Sequence, residues 1–133
     1  MRSFNKLDAK LIPIGVVRAP GVSRDNQKKR GPRTVEVYPD YREGLTGIGE
    51  GDRVLVMWWM NELDGKDRRT LLCHPMGNPS RPKRGVFALR SPMRPNPIGC
   101  TDVEVLEVRE DGLRVDGLDA LDGSPVIDIK VSI

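Results

Sequence analysis

The segment from Gly85 to Gly99, GVFALRSPMRPNPIG, places basic and amide side chains in a stretch that cannot be regular secondary structure. Three prolines interrupt it: Pro92, Pro95 and Pro97. Each proline fixes φ at about −65° and biases the preceding residue toward an extended backbone. The segment therefore predicts a stiff loop that holds Arg90, Arg94 and Asn96 with little conformational freedom to lose on binding. Rigid loops that display arginine and asparagine are a common way to build a site on a scaffold.

Basic residues are concentrated just before and within this loop. Residues 66–94, here called the basic segment, contain eight Lys or Arg and one acid, Asp67. Arg81, Lys83 and Arg84 in the sequence PSRPKRG form a candidate phosphate-contacting cluster. The charge distribution favours an anionic partner such as RNA. From charge alone, an ordinary solvated surface explains these residues equally well.

An acidic turn is predicted between Leu118 and Asp128, where LDALDGSPVID combines three acids with a glycine. Its carbonyl and carboxylate oxygens could bind a cationic or polar ligand. Alternatively, the aspartates close the turn by accepting hydrogen bonds from their own backbone. The residues alone favour this second, structural interpretation.

The familiar enzyme motifs are absent from the chain, including those for dinucleotide binding, phosphate binding, serine hydrolysis and zinc proteolysis. Cys73, Cys100 and the single histidine, His74, are too few for a zinc site of the usual spacing, so we expect no metal. His74 precedes a proline at the end of a predicted strand, and this favours a structural role. Both cysteines are expected to be reduced and packed as small apolar residues.

The length of 133 residues predicts one domain, residues 1–133. Charged residues make up 31% of the chain, and no apolar run is long enough to span a bilayer. The N-terminal residues lack the apolar core of a secretory signal. We therefore expect a cytoplasmic protein that does not associate with membranes.

Short strands separated by glycine and proline dominate the pattern, which predicts an all-β barrel or sandwich of about seven short strands with few helical turns. The Asp111-Gly112 dipeptide predicts a hairpin, and a phase shift between Val105 and Leu106 predicts a bulge. A helical turn is expected within residues 38–48. The predicted strands cover residues 11–18, 34–37, 53–60, 70–74, 85–90, 101–108, 113–115 and 126–131.

The strand predicted at residues 53–60 is apolar on both faces. Such a strand is covered on both sides, either within the core or by a partner subunit. Trp58 and Trp59 lie in this run, so packing in the core or at a dimer interface is favoured over stacking on a base.

Taken together, these segments resemble one family, the TsaA-like methyltransferases, whose best-studied members are the TrmO-type enzymes. The resemblance rests on GVFALRSPMRPNPIG, on LDALDGSPVIDIK, on PIGVVRAP near the N-terminus and on YREGLTGI before the tryptophan-containing strand. It extends from Ile12 to Lys130 in the same order. It implies a small single-domain β-barrel and a homodimer with S-adenosylmethionine near the subunit interface. It also implies methylation of the exocyclic nitrogen of threonylcarbamoyladenosine beside the tRNA anticodon.

Carried over position by position, the resemblance implies a set of cofactor contacts. The family's polar pair after the apolar strand matches Asn61 and Glu62, and the arginine of its ATRSP-like motif matches Arg90. The cysteine after NPIG matches Cys100. The DxxD turn matches Asp119, Ala120, Leu121 and Asp122. Arg94 and Asn96, in the shared loop, are the candidates for ordering the acceptor.

The charges of these groups suit the cofactor. The acids of the turn suit the sulfonium and ammonium of S-adenosylmethionine, and Arg90 suits its carboxylate. A general base is not identified. Asp128 and Glu62 are the candidates considered, and solvent is the alternative.

Several departures from the family pattern concern the acceptor more than the cofactor. The pair that is often His-Gln in the family is Asn61-Glu62 here, and the usual DIKPY ending is DIKVSI. The extra C-terminal domain of longer bacterial members, which is thought to help engage tRNA, has no counterpart in these 133 residues. Two alternatives therefore remain open. One is a methyltransferase of the same family acting on a small molecule or a protein, and the other is a non-catalytic RNA-binding barrel.

Overall fold

The computed structural model describes residues 9–23 and 31–133, and within them the chain forms a closed β-barrel. Six antiparallel strands close it in the order β1-β2-β7-β6-β3-β8, and β4 and β5 form a separate two-stranded sheet. The predicted all-β barrel is confirmed. The strands are β1 Gly15–Arg18, β2 Arg33–Val37, β3 Arg53–Trp59, β4 Leu72–Cys73, β5 Arg84–Gly85, β6 Ile98–Arg109, β7 Gly112–Asp116 and β8 Pro125–Val131.

The helical segments are short. The 3-10 helix Pro39–Leu45 confirms the predicted helical turn, and helix α1 covers Gly65–Arg69. Two further 3-10 turns cover Pro75–Gly77 and Val86–Ala88. No helix in the described residues is long and apolar enough to cross a membrane.

The core is built by the inward-facing residues of the barrel strands. On β3, Val54, Val56 and Trp58 are buried, whereas the alternate residues Leu55, Met57 and Trp59 are only half-buried on the outer face. The other strands follow the same alternation, with Val35, Val37, Val103, Val105, Leu113, Val115 and Val126 buried. Fully burying each such side chain contributes about 1.5–3 kcal/mol, so the alternation fixes the register of the strands.

Two turn predictions hold. Strand β6 pairs with β7 across the Asp111-Gly112 turn, and the pairing shifts register between Val105 and Glu107, where the bulge was expected. Gly112 is required by close packing, because a Cβ at this position would lie 2.0 Å from the carbonyl oxygen of Val35.

One strand prediction was wrong. Residues 85–90 do not form a strand, because β5 ends at Gly85 and a 3-10 turn follows at Val86–Ala88. The carbonyl of Val86 accepts from Leu89 N (3.2 Å) and from the guanidinium of Arg94, which also binds the Leu89 carbonyl. Those carbonyls are therefore not available to a strand partner. The strand expected over residues 70–74 is similarly reduced to Leu72–Cys73.

Residues 60–97 form an excursion between β3 and β6 and carry α1, β4 and β5. Val86 and Pro97 are its two buried residues, so apolar burial contributes little to its order. Polar contacts therefore provide part of the stabilisation that orders the excursion. Asp64 and Asp67 form a capping box at the start of α1. The Arg68 guanidinium lies 5.5 Å from the Trp59 ring centroid and donates to the Pro95 carbonyl at 2.9 Å.

The carboxylate of Asp102 joins three parts of the barrel. Its Oδ1 accepts from Arg53 Nε at 2.7 Å, and its Oδ2 accepts from the hydroxyl of Ser132 just after β8. The Ser132 N–H in turn donates to the Arg53 carbonyl at 3.0 Å. The hydrogen bond from Ser132 and the ion pair with Arg53 lower the pKa of the Asp102 carboxyl from its ordinary value of 3.8.

We expect Asp102→Asn to lower the melting temperature by a few degrees at neutral pH. A carboxyl whose pKa is lowered by folding stabilises the folded state above its unfolded pKa, and this stability is lost as the pH falls through the folded pKa. The melting curves of the wild type and the variant, followed by circular dichroism, should therefore converge as the pH falls below 3.8, the ordinary pKa of this carboxyl. Asp116→Asn, at an exposed position on β7, is the control. A difference that stays constant from neutral to acid pH would contradict the assignment.

Candidate functional site

A cavity of about 660 Å³ opens between one side of the barrel and the excursion. Its volume lies in the range typical of small-molecule sites. Eight of the residues predicted to bind cofactor or acceptor line it: Asn61, Glu62, Arg90, Arg94, Cys100, Asp119, Ala120 and Leu121. The remaining predicted residues do not line it: Asn96, Asp122, Arg81, Lys83 and Arg84.

Trp58 and Gly99 form part of the cavity wall where β3 pairs with β6. The indole packs directly on the glycine, because a Cβ at Gly99 would lie 2.3 Å from Trp58 Cε2. The glycine that ends the NPIG sequence is therefore needed to let the indole lie flat on the strand. Trp58 is 6% exposed and belongs to the core, which leaves Trp59 as the more accessible tryptophan.

Arg90 lies exposed at the edge of the cavity, and its Nη1 donates to the Cys100 carbonyl at 3.1 Å. A guanidinium carries five N–H donors in a planar fork. One contact to a main-chain carbonyl orients the group and leaves the fork able to take a carboxylate as a bidentate, charge-assisted pair.

The acidic turn borders the cavity on another side. Asp119 Oδ1 accepts from the Thr101 hydroxyl at 2.9 Å, which ties the turn to β6. Asp122 is directed elsewhere, since its Oδ1 accepts from Ala19 N at 2.8 Å beyond the end of β1. The third acid, Asp128, accepts from the neighbouring Ile129 N at 2.9 Å. The structural interpretation, in which the aspartates accept from their own backbone, therefore agrees with Asp128, whereas these contacts of Asp119 and Asp122 reach other parts of the barrel. A role for Asp122 in cofactor binding stays a prediction.

Arg33 contacts the acidic turn from inside the barrel domain, and the sequence did not predict this role. It is 2% exposed, and its Nε donates to the Ala120 carbonyl at 2.8 Å. A buried arginine is costly unless its charge meets good acceptors, so this contact fixes where the turn lies. No sequence pattern marks Arg33 as buried, because it follows a run of basic residues that is typical of a solvated surface.

Arg94 organises the proline-rich loop through main-chain carbonyls. Its Nε donates to Ser91 O at 2.8 Å, and its Nη2 donates to Leu89 O at 2.7 Å and to Val86 O. The side chain is half-buried at the cavity wall. These contacts occupy much of the guanidinium, so Arg94 first positions the loop that carries Arg90.

Asn96 and the basic cluster lie away from the cavity. The carbonyl of Asn96 accepts from Ile98 N at 2.7 Å, and its side chain is exposed. Arg81, Lys83 and Arg84 are exposed on the loop between β4 and β5 and within β5. His74 Nδ1 hydrogen bonds with the Arg81 carbonyl at 2.7 Å and so closes this hairpin, as expected of a structural histidine.

The chemistry of the cavity fits S-adenosylmethionine. Carboxylates of Glu62 and Asp119 can face its sulfonium and ammonium, and the Arg90 guanidinium can face its carboxylate. Apolar surface for an adenine ring is provided by Trp58, Met60, Met93, Ile98 and Leu121. No group of three potential metal ligands occurs in residues 9–23 and 31–133, and both cysteines there are free.

Comparison with known proteins places this chain among a set of relatives. The model of the tRNA-methyltransferase O N-terminal domain matches residues 18–133. A probable S-adenosyl-L-methionine-binding protein of Pyrococcus horikoshii is 39% identical over 92% of this chain and 81% of the relative. An S-adenosyl-L-methionine-binding protein of Archaeoglobus fulgidus is 42% identical over 90% of this chain and 86% of the relative.

The fold is also similar to a crystal structure of TrmO from Pseudomonas aeruginosa. The TM-score is 0.70 with 25% sequence identity over 96% of this chain, and the chain spans 57% of the length of that structure. The closed barrel with its cavity thus places the chain in a class of small β-barrel domains of which TrmO provides a solved example. Within that class, the chain belongs to the tRNA-methyltransferase O N-terminal domain family.

We expect Arg94→Lys to accelerate amide hydrogen exchange at residues 86–91 about tenfold, because an ammonium cannot hold three carbonyls in a planar fork and each lost hydrogen bond costs about 1 kcal/mol. Exchange followed by mass spectrometry checks this. Arg84→Lys, a nearby exposed position, is the matched control. Unchanged protection in the Arg94 variant would show that the loop is ordered by other contacts.

Proposed function

We propose that this protein transfers a methyl group from S-adenosylmethionine to the exocyclic nitrogen of threonylcarbamoyladenosine beside the tRNA anticodon. The observation that carries the proposal is the convergence of Asn61-Glu62, Arg90, Cys100 and the acidic turn on one cavity in a chain of this family. These residues come from three distant parts of the sequence. Their convergence supports a cofactor site.

The roles of the residues follow from their contacts. When bound, S-adenosylmethionine supplies an electrophilic methyl group on a sulfonium. Glu62 and Asp119 favour that positive charge electrostatically, and Arg90 orients the bound molecule through its carboxylate. Arg94 keeps the loop with Arg90 in place through its carbonyl contacts. Because in-line displacement depends on alignment, this rigid positioning supplies much of the acceleration.

Two carboxylates were considered as the base for the weakly basic acceptor nitrogen. Asp128 lines a second cavity and pairs with Lys130 at 3.1 Å, whereas Glu62 lines the cavity described above. Glu62 is therefore the better placed of the two. Of the two residues proposed to order the acceptor, Arg94 lines this cavity and Asn96 does not.

The partner proposed for the basic cluster is tRNA. Arg81, Lys83 and Arg84 are exposed together on one hairpin and are suited to phosphate contacts. Substitution of these three residues by alanine should weaken tRNA binding and reduce its dependence on salt. We place this activity in the cytoplasm, where tRNA is modified.

We also propose a homodimer formed through the outer face of β3. Leu55, Met57 and Trp59 present half-buried apolar surface there, next to Ile98 and Cys100 of β6. The last two residues also line the cavity. A partner subunit on this face would bring the interface close to the cofactor, as the family resemblance implies.

Methylation of tRNA that carries threonylcarbamoyladenosine is the decisive test of the proposal. The product nucleosides are analysed by mass spectrometry after incubation with S-adenosylmethionine. A gain of one methyl group on that nucleoside is expected. Cofactor binding without methylation of any tRNA would favour a small-molecule or protein acceptor. The observation that supports this alternative is the Asn61-Glu62 pair, which differs from the pair usual in the family. Binding of tRNA without cofactor binding would favour the non-catalytic barrel.

We expect Arg90→Ala to weaken S-adenosylmethionine binding at least tenfold, because it removes the charge-assisted partner of the carboxylate. Isothermal titration calorimetry measures this. Arg109→Ala, an exposed arginine near the end of β6 and outside the cavity, is the matched control. An unchanged affinity in the Arg90 variant would remove that residue from the site.

We expect Met57→Lys to convert a dimer into a monomer, because it places a charge in the centre of the apolar face of β3. Sedimentation velocity at micromolar concentration measures the mass. Leu106→Lys, at another exposed apolar position on the barrel, is the control and should leave the mass unchanged. A monomeric wild-type protein would contradict the proposed homodimer.

A further inference from the structure

Phe87 holds its aromatic ring largely in solvent. It is 81% exposed, the most exposed aromatic side chain among the residues that the structure describes. Leu71, Leu72 and Met76 of the same excursion are also exposed, at 56%, 60% and 94%. Phenylalanine is among the residues most often buried, so an exposed ring beside such neighbours marks a surface for a partner.

The backbone that carries Phe87 is fixed on both sides. Val86 is buried, and its N–H donates to the Leu71 carbonyl at 2.9 Å. Leu89 N closes the 3-10 turn on Val86, and the Arg94 guanidinium binds the carbonyls of Val86 and Leu89. The ring is therefore presented on a turn that needs no ordering when a partner binds.

The charge around Phe87 indicates what that partner is. β5 ends two residues before Phe87, and the exposed Arg84, Lys83 and Arg81 lie on the same hairpin. The basic segment carries eight Lys or Arg and one acid. A second copy placed on this surface would bring like charges together, whereas a nucleic acid supplies both phosphates for the cations and bases for the ring.

We propose that Phe87 is a stacking platform for an unpaired RNA base next to the methyl-transfer cavity. This role rests on the proposed function, because it takes RNA as the substrate. Arg94 links the two places, because it lines the cavity and binds the carbonyls on both sides of Phe87. A base stacked on the ring would hold the adjacent nucleotide near that cavity, with the cations of the hairpin on the backbone phosphates.

Fluorescence anisotropy with a labelled anticodon stem-loop RNA tests the platform without cofactor or catalysis. Phe87→Ala should weaken binding about tenfold, and Phe87→Leu should weaken it similarly, because leucine is apolar but has no π-face. Phe87→Trp should bind within about threefold of the wild type. The slope of affinity against salt should be unchanged in all three variants, since none removes a phosphate contact. Val131→Ala, another exposed apolar position, is the control.

Three results would overturn the proposal. Unchanged RNA affinity in Phe87→Ala is one. Wild-type affinity in Phe87→Leu would show apolar contact rather than stacking. A dimer that becomes a monomer on Phe87→Ala, seen by sedimentation, would assign the surface to a second copy. Failure of the proposed function is distinguishable from these results, because absent methylation by the wild type leaves the RNA-binding comparison intact.

Discussion

The pairing of β3 with β6 is the constraint on which the rest of this structure depends. Residues 53–59 pair in continuous antiparallel register with residues 98–104, and Met60 N donates to the Pro97 carbonyl at 2.8 Å just beyond them. Residues 60–97 therefore leave and return at the same point of the barrel. Because of this closure, the polar pair that follows β3 and the arginines that precede β6 meet over Gly99. A cavity arises there while few side chains of the excursion are buried: Val86 and Pro97 are buried, and Met60 packs against the core in part.

Groups of both charges line the cavity. The cations, Arg90 and Arg94, come from the excursion. Of the two acids, Glu62 comes from the excursion as well, and Asp119 comes from the turn between β7 and β8, which a buried contact between Arg33 and the Ala120 carbonyl holds in place. The barrel thus fixes one of the acids, and an excursion with little apolar burial carries the other charges. A ligand with charges of both signs stabilises that arrangement by bridging the barrel and the excursion.

Much of the fold could be predicted from the sequence, because alternation of apolar residues and turn dipeptides are local signals. The barrel strands, the bulge after Val105 and the hairpin at Asp111-Gly112 follow from such patterns. A strand was predicted over residues 85–90 because their local pattern is strand-like, but the guanidinium of Arg94, a few residues further along the chain, binds the carbonyls of Val86 and Leu89. The direction of Asp122 toward Ala19 and the burial of Arg33 are likewise set by contacts some 90 to 100 residues away in sequence. No local pattern reports such contacts.

The groups suited to the cofactor and those suited to RNA differ in position. The cofactor groups come from barrel strands, from the acidic turn and from the loop that Arg94 holds, and they line one cavity. Phe87 and the cations of the β4–β5 hairpin are exposed on residues 60–97 outside that cavity, although Arg94 also holds the turn that carries Phe87. Substitutions on the exposed surface of residues 60–97 can therefore change which acceptor binds while the cofactor that binds in the cavity stays the same. Asn61 and Glu62 lie at the junction of these two parts, so a change in that pair affects the cofactor and the acceptor together.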